Sequence, residues 1–115
     1  DLLGTLTNRN IEIQVRSIFL QGVLIAEPRT RPQYFHQFHE YLEPWDTWIA
    51  QNKLDARSAC FTSVDQLGCA DFALIGVGSK SHLSELLVAR QTTVNLDKDF
   101  SCPELRLIDP RFWKL

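Results

Sequence analysis

Methionine is missing from the sequence, even at its first position. A native start codon leaves a methionine unless processing removes it, so the absence favours a piece of a longer protein. The opening residues 1–6 resemble the end of a helix that is already under way. We therefore expect the 115 residues to be a fragment that is long enough to form one domain with a core of its own.

Basic runs and long apolar stretches are also missing. The formal net charge is −2 and no cluster of lysine or arginine occurs, so nucleic acid is not an expected partner. No apolar segment approaches the roughly 20 residues that a membrane helix needs, and the first residues do not show the charged-then-apolar pattern of a signal. We expect neither a nucleic acid nor a membrane as partner.

Cysteine is scarce, with residues only at Cys60, Cys69 and Cys102. The number is odd and no CxxC spacing occurs, which favours reduced thiols in a cytoplasmic protein. A disulfide or a reactive thiol is the alternative.

The most informative stretch that is present runs from residue 71 to residue 88. Phe72–Ile75 is a continuous apolar run, which predicts a parallel strand covered on both faces. Gly76–Gly78 allow a tight turn, and Ser79 is a good helix N-cap. Three leucines then follow at helical spacing: Leu83, Leu86 and Leu87.

The start of this predicted helix is a candidate anion site. Its first amides lack intrahelical partners and carry the positive end of the helix dipole, and Lys80 adds a charge in the first turn. An ordinary connection between strand and helix, with glycines only for turning, is the alternative.

A second strand is predicted upstream by the alternation of Ile11–Arg16, which follows a turn-like cluster at Asn8–Asn10. Glu12, Gln14 and Arg16 then share one side of that strand. The strands are separated by a proline-containing loop at Glu27–Pro32 and by two predicted helices.

The first of these helices has an aromatic face, and we interpret that face as core packing rather than as a ligand-binding box. Its members are Phe35, Phe38, Leu42, Trp45 and Trp48. Pro44 predicts a kink or break near Tyr41. The second helix is capped by Asp55 and ends at Gly68. A face of small and apolar residues is predicted for it: Ala59, Cys60, Ser63, Val64 and Leu67.

The predicted order is strand, helix, helix, strand, helix, which indicates an α/β fold with parallel strands. A tail without long helices follows, because Pro103 and Pro110 interrupt it. Two strands cannot satisfy their own edges. We therefore expect a fragment that self-associates when isolated, as a dimer or larger.

Two segments together resemble the aldo-keto reductases: RSIFLQGVL at Arg16–Leu24 and GVGSKSHLSEL at Gly76–Leu86. The resemblance covers residues 8–90 and leaves a C-terminal tail at 91–115. It implies a C-terminal fragment of a (β/α)8 TIM barrel, containing its last two parallel strands and their helices rather than a complete barrel. Loops after the seventh and eighth strands are the usual phosphate site of such barrels.

The resemblance also implies NADPH, or NAD, as cofactor. Ser17 would contact the pyrophosphate near the backbone of Phe19 and Gln21, and the second segment would surround the 2′-phosphate and adenosine. The implied cofactor-binding residues are Arg16, Ser17, Phe19, Gln21, Gly22, Gly78, Ser79, Lys80, His82 and Glu85. Arg16 replaces the aromatic residue that stacks on nicotinamide in the family. His82 and Leu86 replace the glutamine and the asparagine that contacts adenine.

The implied activity is the reduction of a small-molecule carbonyl to an alcohol. The family's catalytic residues belong to earlier strands, so no residue of this chain is an expected catalytic group, and the isolated chain should not turn over substrate. A small non-catalytic α/β module that binds an anion or a protein is the alternative.

His36, His39 and Glu40 lie close together on the predicted helix, and we interpret them as two solvated histidines beside the aromatic face rather than as a metal site.

Overall fold

The computed structural model describes residues 1–115. It has five α-helices, two short strands and three 3-10 segments. In chain order these are α1 (Leu2–Asn8), β1 (Gln14–Arg16), 3-10 segments at Pro28–Thr30 and Gln33–Phe38, α2 (His39–Gln51), α3 (Ala56–Gln66), β2 (Phe72–Leu74), α4 (Lys80–Gln91), α5 (Leu105–Ile108) and a last 3-10 segment at Pro110–Phe112. None of the helices is both long enough and apolar enough to cross a bilayer.

The two strands pair in parallel, which confirms the predicted α/β class and the predicted order of the elements from β1 to α4. Gln14 is opposite Phe72 and Arg16 is opposite Leu74. Both strands are shorter than predicted. The ladder begins at a side-chain contact, in which the Ile13 amide donates to the Asp71 carboxylate at 2.8 Å.

The two faces of this sheet differ. On one face Ile13 is buried and Val15, Ala73 and Ile75 are half-buried against helices. On the other face the side chains are exposed: Gln14, Arg16, Phe72 and Leu74. The prediction that β2 is covered on both faces is therefore wrong, because the chain supplies helices to one face only.

The aromatic face of α2 and of the preceding 3-10 segment is buried as predicted. Pro44 lies inside α2 on its exposed side. Instead of a break near Tyr41, the helix changes from 3-10 to α geometry at Phe38–His39. The Glu40 carbonyl, which would accept from an amide at position 44, is in an exposed residue that water can reach.

Helix α3 has its predicted caps, but its predicted face is only half right. The Asp55 carboxylate accepts from the Arg57 amide, and Gly68 has a left-handed backbone with φ of 68° after the last turn. Ser63 and Leu67 are exposed, whereas five consecutive residues are buried: Ser58, Ala59, Cys60, Phe61 and Thr62. Helices α2 and α4 and the tail together bury this run.

Hydrogen bonds fix α3 between its two neighbours. The Ser58 hydroxyl donates to the Ala89 carbonyl of α4 at 2.9 Å, and the Val94 amide of the tail donates to the Thr62 hydroxyl at 3.1 Å. Both hydroxyls are buried, so these bonds satisfy groups that would otherwise be costly to bury.

Helix α4 buries only part of its predicted stripe. Leu86 and Ala89 are buried, whereas Leu83 and Leu87 are 44% and 55% exposed. The tail lies along the body as predicted, with Leu107 buried beside Phe35 and Phe38.

Candidate functional site

The loop after β1 has a strained backbone. Ser17, Leu20 and Gln21 have positive φ angles of 58°, 51° and 54°, and Gly22 has a φ of 89°. A non-glycine residue in this region costs on the order of 1 kcal/mol or more, and such residues concentrate at functional sites. The loop also closes on itself, since the amide of Gly22 donates to the Phe19 carbonyl at 3.0 Å.

Side chains of helix α2 and of the segment before it hydrogen-bond to the backbone at the end of this loop, at Val23 and Leu24. Arg31 donates from Nε to the Val23 carbonyl at 2.8 Å and makes a two-pronged ion pair with Asp46 of α2 at 2.6 and 2.7 Å. Trp45 donates from its indole nitrogen to the Leu24 carbonyl at 2.9 Å. The Arg31 side chain is only 4% exposed, so this contact is rigid and shielded from water.

A cavity of about 310 Å³ opens where the two strands end. The β1 side contributes Arg16, Ser17, Ile18, Phe19, Gln21 and Gly22, and the β2 side contributes Leu74, Ile75 and Gly76. One side of the cavity is polar, and there Gln21 donates from its side-chain amide to the Ser17 hydroxyl in a long, exposed hydrogen bond of 3.4 Å. The Arg16 guanidinium makes no hydrogen bond or ion pair, so it is free to bind an anion.

The second turn leads from β2 into α4, as the sequence predicts. The Ser79 hydroxyl accepts from the His82 amide at 3.0 Å, which is the expected N-cap bond. The His82 ring accepts from the Gly78 amide at 3.3 Å through Nδ1, so the imidazole holds the turn rather than pointing away from it. Lys80 is exposed and has no ion-pair partner.

Glu85 has a structural contact that the sequence did not predict. Its carboxylate accepts from Arg57 of α3 at 3.0 Å, and Arg57 also binds Asp55. The Arg57 guanidinium lowers the pKa of the Asp55 carboxyl, and the two carboxylates raise the pKa of Arg57. An acidic residue two positions before an arginine is a local signal for the Asp55–Arg57 pair, and it recurs at Glu104 with Arg106. The sequence carries no such signal for Glu85, which is 28 residues from Arg57.

The structure brings one group of the predicted residues together around the cavity: Arg16, Ser17, Phe19, Gln21 and Gly22. The other group forms the turn and the first half of α4, outside the cavity lining: Gly78, Ser79, Lys80, His82 and Glu85. Gly76 connects them, since it lines the cavity and begins the second turn.

Phe19 lines the cavity and also packs its ring against α3. The ring packs edge-to-face on Phe61 of α3 with centroids 5.5 Å apart. Arg31, Asp46 and Trp45, which hold the loop, were missed because they are 8 to 21 residues from the atoms that they bind. Local patterns carry no signal for contacts at that separation.

Neither histidines nor cysteines form a second site. His36 and His39 are exposed, and no group of three or more His, Cys, Asp or Glu side chains is placed to hold a metal. All three cysteines are free thiols. Burial raises the pKa of Cys60 to about 12, so this thiol stays protonated at neutral pH.

No family model, curated protein or solved structure matches the chain.

Proposed function

We propose that this chain is the C-terminal, cofactor-binding part of an NAD(P)H-dependent aldo-keto reductase of the (β/α)8 barrel fold. One observation carries the proposal. The parallel pairing of β1 with β2 puts the loop at Ser17–Gly22 and the turn at Gly76–Ser79 at the same end of adjacent strands. Loops at the carboxyl ends of parallel strands are where such barrels bind phosphate.

The residues at this end suit the phosphate groups of a dinucleotide. Arg16 supplies an unpaired guanidinium and Ser17 a hydroxyl at the cavity. Helix α4, which has 12 residues, begins beside them with Lys80 in its first turn and with amides that favour negative charge. Two positive side chains and a helix N-terminus therefore follow the carboxyl ends of the two paired strands.

The exposed face of the sheet also fits a barrel. Phe72 and Leu74 are 56% and 52% exposed beside Gln14 and Arg16. In a closed barrel the face that points away from the helices is the packed interior. Large apolar side chains there are expected if further strands complete the sheet.

In this proposal the chain binds the cofactor and upstream strands perform the chemistry. NADPH supplies the hydride that reduces a small-molecule carbonyl, and a general acid from an earlier strand supplies the proton. Arg16 and Ser17 hold the phosphates, while the contacts from Arg31 and Trp45 keep the loop in its strained form. The isolated chain then binds without turning over substrate.

The test is cofactor binding by the 115-residue chain. We expect NADP to raise the melting temperature with a saturable dependence on its concentration. Arg16→Ala should weaken NADP binding at least tenfold. Arg9→Ala is the matched control, because Arg9 is an exposed arginine outside the cavity and should bind like the original chain. No response to NADP, or equal losses in both variants, would contradict the proposal.

A non-catalytic anion-binding module is the second candidate, favoured by the unpaired charges of Arg16 and Lys80. It predicts that inorganic phosphate stabilises the chain as strongly as NADP does. A preference for NADP over phosphate of tenfold or more favours the reductase instead.

A further inference from the structure

The loop after β1 holds a backbone conformation that residues with side chains seldom adopt. Three such residues have positive φ angles, Ser17, Leu20 and Gln21, and all three lie within five positions of one another. A conformation of this kind persists only where the surrounding structure over-determines it. The loop therefore needs contacts that outweigh its strain.

The hydrogen bonds inside the loop shape it but do not join it to another segment. The Leu20 amide donates to the Ser17 carbonyl at 2.8 Å. The amides of Gly22 and Leu24 both donate to the Phe19 carbonyl, at 3.0 and 3.2 Å. Contacts with the rest of the protein must therefore hold the loop in place.

Those contacts lie near both ends of the loop. Near its start, the ring of Phe19 packs on α3. At its end, the carbonyls of Val23 and Leu24 accept hydrogen bonds from Arg31 and Trp45, at 2.8 and 2.9 Å. Both donors are buried, with 7% and 6% exposure, so water competes little for these bonds.

We infer that Arg31 and Trp45 are positioning residues of the candidate site. Neither residue lines the cavity, whereas Ser17 and Gln21 do. By fixing the carbonyls of Val23 and Leu24, the two donors keep the preceding residues in the conformation that forms the cavity wall. They act on a bound ligand only through the backbone of the loop.

The affinity of the site then depends on these distant side chains. When a donor is lost, the strained residues return to negative φ for part of the time. The apparent affinity falls by the same factor as the population of the competent loop. The effect on affinity rests on the proposed function, whereas the conformation of the loop can be measured without a ligand.

Two tryptophans of α2 provide a matched pair of variants. Trp45→Phe keeps an aromatic ring but removes the indole N–H that donates to the loop. Trp48→Phe is the control, because Trp48 is 4% exposed and donates to Asp97 of the tail instead, at 3.3 Å. Both rings also pack against Phe100. Each variant should lose stability in urea unfolding, since each shrinks a buried side chain.

Nuclear Overhauser effects of the ligand-free chain report the loop directly, because a positive φ brings the amide and α protons of one residue close together. We expect strong intraresidue effects at Ser17, Leu20 and Gln21 in the original chain and in Trp48→Phe. They should weaken in Trp45→Phe. A merely structural role of Trp45 in the core would not distinguish the two variants in this way.

NADP binding provides the second measurement. Trp45→Phe should bind NADP about fivefold more weakly than the original chain, which is the factor that one hydrogen bond typically contributes. Trp48→Phe should bind like the original chain. Saturating NADP should restore the intraresidue effects in Trp45→Phe, because ligand binding and loop conformation are linked reciprocally.

Arg31→Lys is the second test variant if Trp45→Phe does not fold, because a lysine lacks the planar fork that binds Asp46 and the Val23 carbonyl together. An unchanged loop in the test variant, equal changes in Trp48→Phe, or a changed loop with unchanged NADP affinity would each overturn the inference. Failure of the original chain to bind NADP would instead contradict the reductase assignment, and the ligand-free spectra would still decide whether these residues position the loop.

Discussion

Two sides of the same sheet-and-helix body differ in how the chain covers them. On the tail side, residues 92–115 lie over α2 and α3. Phe100 packs edge-to-face on Trp45 and at a tilt on Trp48, with ring centroids 5.2 Å away from each. On the β2 side, a groove of about 340 Å³ between α3, β2 and α4, the β2 groove, is left bare, and Phe72 and Leu87 in it stay more than half exposed. The apolar residues of both sides are similar in kind, so the difference lies in whether another segment packs on them.

The comparison shows which aromatic side chains the chain buries by itself, and it does not extend to the whole tail side, where a cavity of about 800 Å³ stays open between Val15, Leu67 and the tail. Aromatic side chains on the tail side bury their rings and also satisfy their polar atoms. The indole nitrogen of Trp45, for example, donates a hydrogen bond to the Leu24 carbonyl. The candidate site is held from that buried side. The β2 side contributes its turn to the site but leaves the apolar side chains of Phe72 and Leu87 exposed.

The largest expected effect on the free energy of unfolding is the difference between replacing a buried aromatic residue and replacing an exposed one. Trp45→Ala should lower the free energy of unfolding by about 3–5 kcal/mol, because Trp45 is 6% exposed and packs against Trp48 and Phe100. Phe72→Ala should change it by about 0.5 kcal/mol or less. Urea unfolding of dilute chain measures both. Comparable losses in the two variants would erase the distinction between the sides.

The next contrast uses the ion pairs. Asp46→Asn should cost about 2–4 kcal/mol, because it leaves the buried guanidinium of Arg31 without its charge partner. Asp65→Asn removes the partner of Arg90 at the rim of the β2 groove, where both side chains are about half exposed, and should cost about 0.5 kcal/mol or less. Equal destabilisation in urea unfolding would show that the contact behind the loop is not rigid.

Much of this local structure could be predicted from the sequence. Ser79 and Asp55 cap helices where their positions indicate, and the spacing of the α2 aromatics gives the buried face. Those signals are local, since each depends on residues three or four positions apart. The bare face of β2 could not be predicted, because an apolar run such as Phe72–Ile75 does not reveal which segments will cover it.

The turns of the candidate site could be predicted from the sequence, but the side-chain contacts that hold them could not. The two glycine-bearing turns were visible in the sequence, and their placement at one end of the sheet followed from parallel pairing. The contacts that hold the loop, from Arg31 and Trp45, and the engagement of Glu85 by Arg57 were not visible. They connect distant segments through side chains that have no distinctive spacing.

Cysteine labelling gives a smaller, kinetic contrast. Cys60 is buried within the tail-side cluster, and burial raises its pKa to about 12, so little thiolate forms at pH 8. Cys69 and Cys102 are partly exposed. We expect a thiol reagent to modify these two at least tenfold faster than Cys60, with Cys60 reacting only on unfolding. Modification of all three at one rate would mean that the tail does not protect the cluster.

The smallest expected effect is a loss of stability at α5 when the pH is lowered. Arg106 lowers the pKa of Glu104, the cap of α5, to about 2, whereas an unfolded glutamate titrates near about 4.3. The ionised Glu104 carboxylate therefore stabilises the folded tail fully above about pH 5, and this stabilisation is lost as the pH falls through about 2. Helix α4 is capped by the Ser79 hydroxyl, which does not titrate.

On acidification, amide exchange should therefore increase at Leu107 and Ile108 before it increases at Leu83 and Leu86. Glu104→Gln should remove that difference between the tail and α4. Simultaneous loss of protection in both regions of the original chain would contradict the expectation.

The most direct test of the candidate site is an NMR titration of the isotope-labelled chain with NADP. The parallel pairing of β1 and β2 makes one site from two turns, so the amides of Ser17, Gly22, Gly76 and Ser79 should shift together with one dissociation constant. Chemical-shift changes confined to one of the two turns, or changes that are largest for residues of the β2 groove, would contradict a single cofactor site at the ends of β1 and β2.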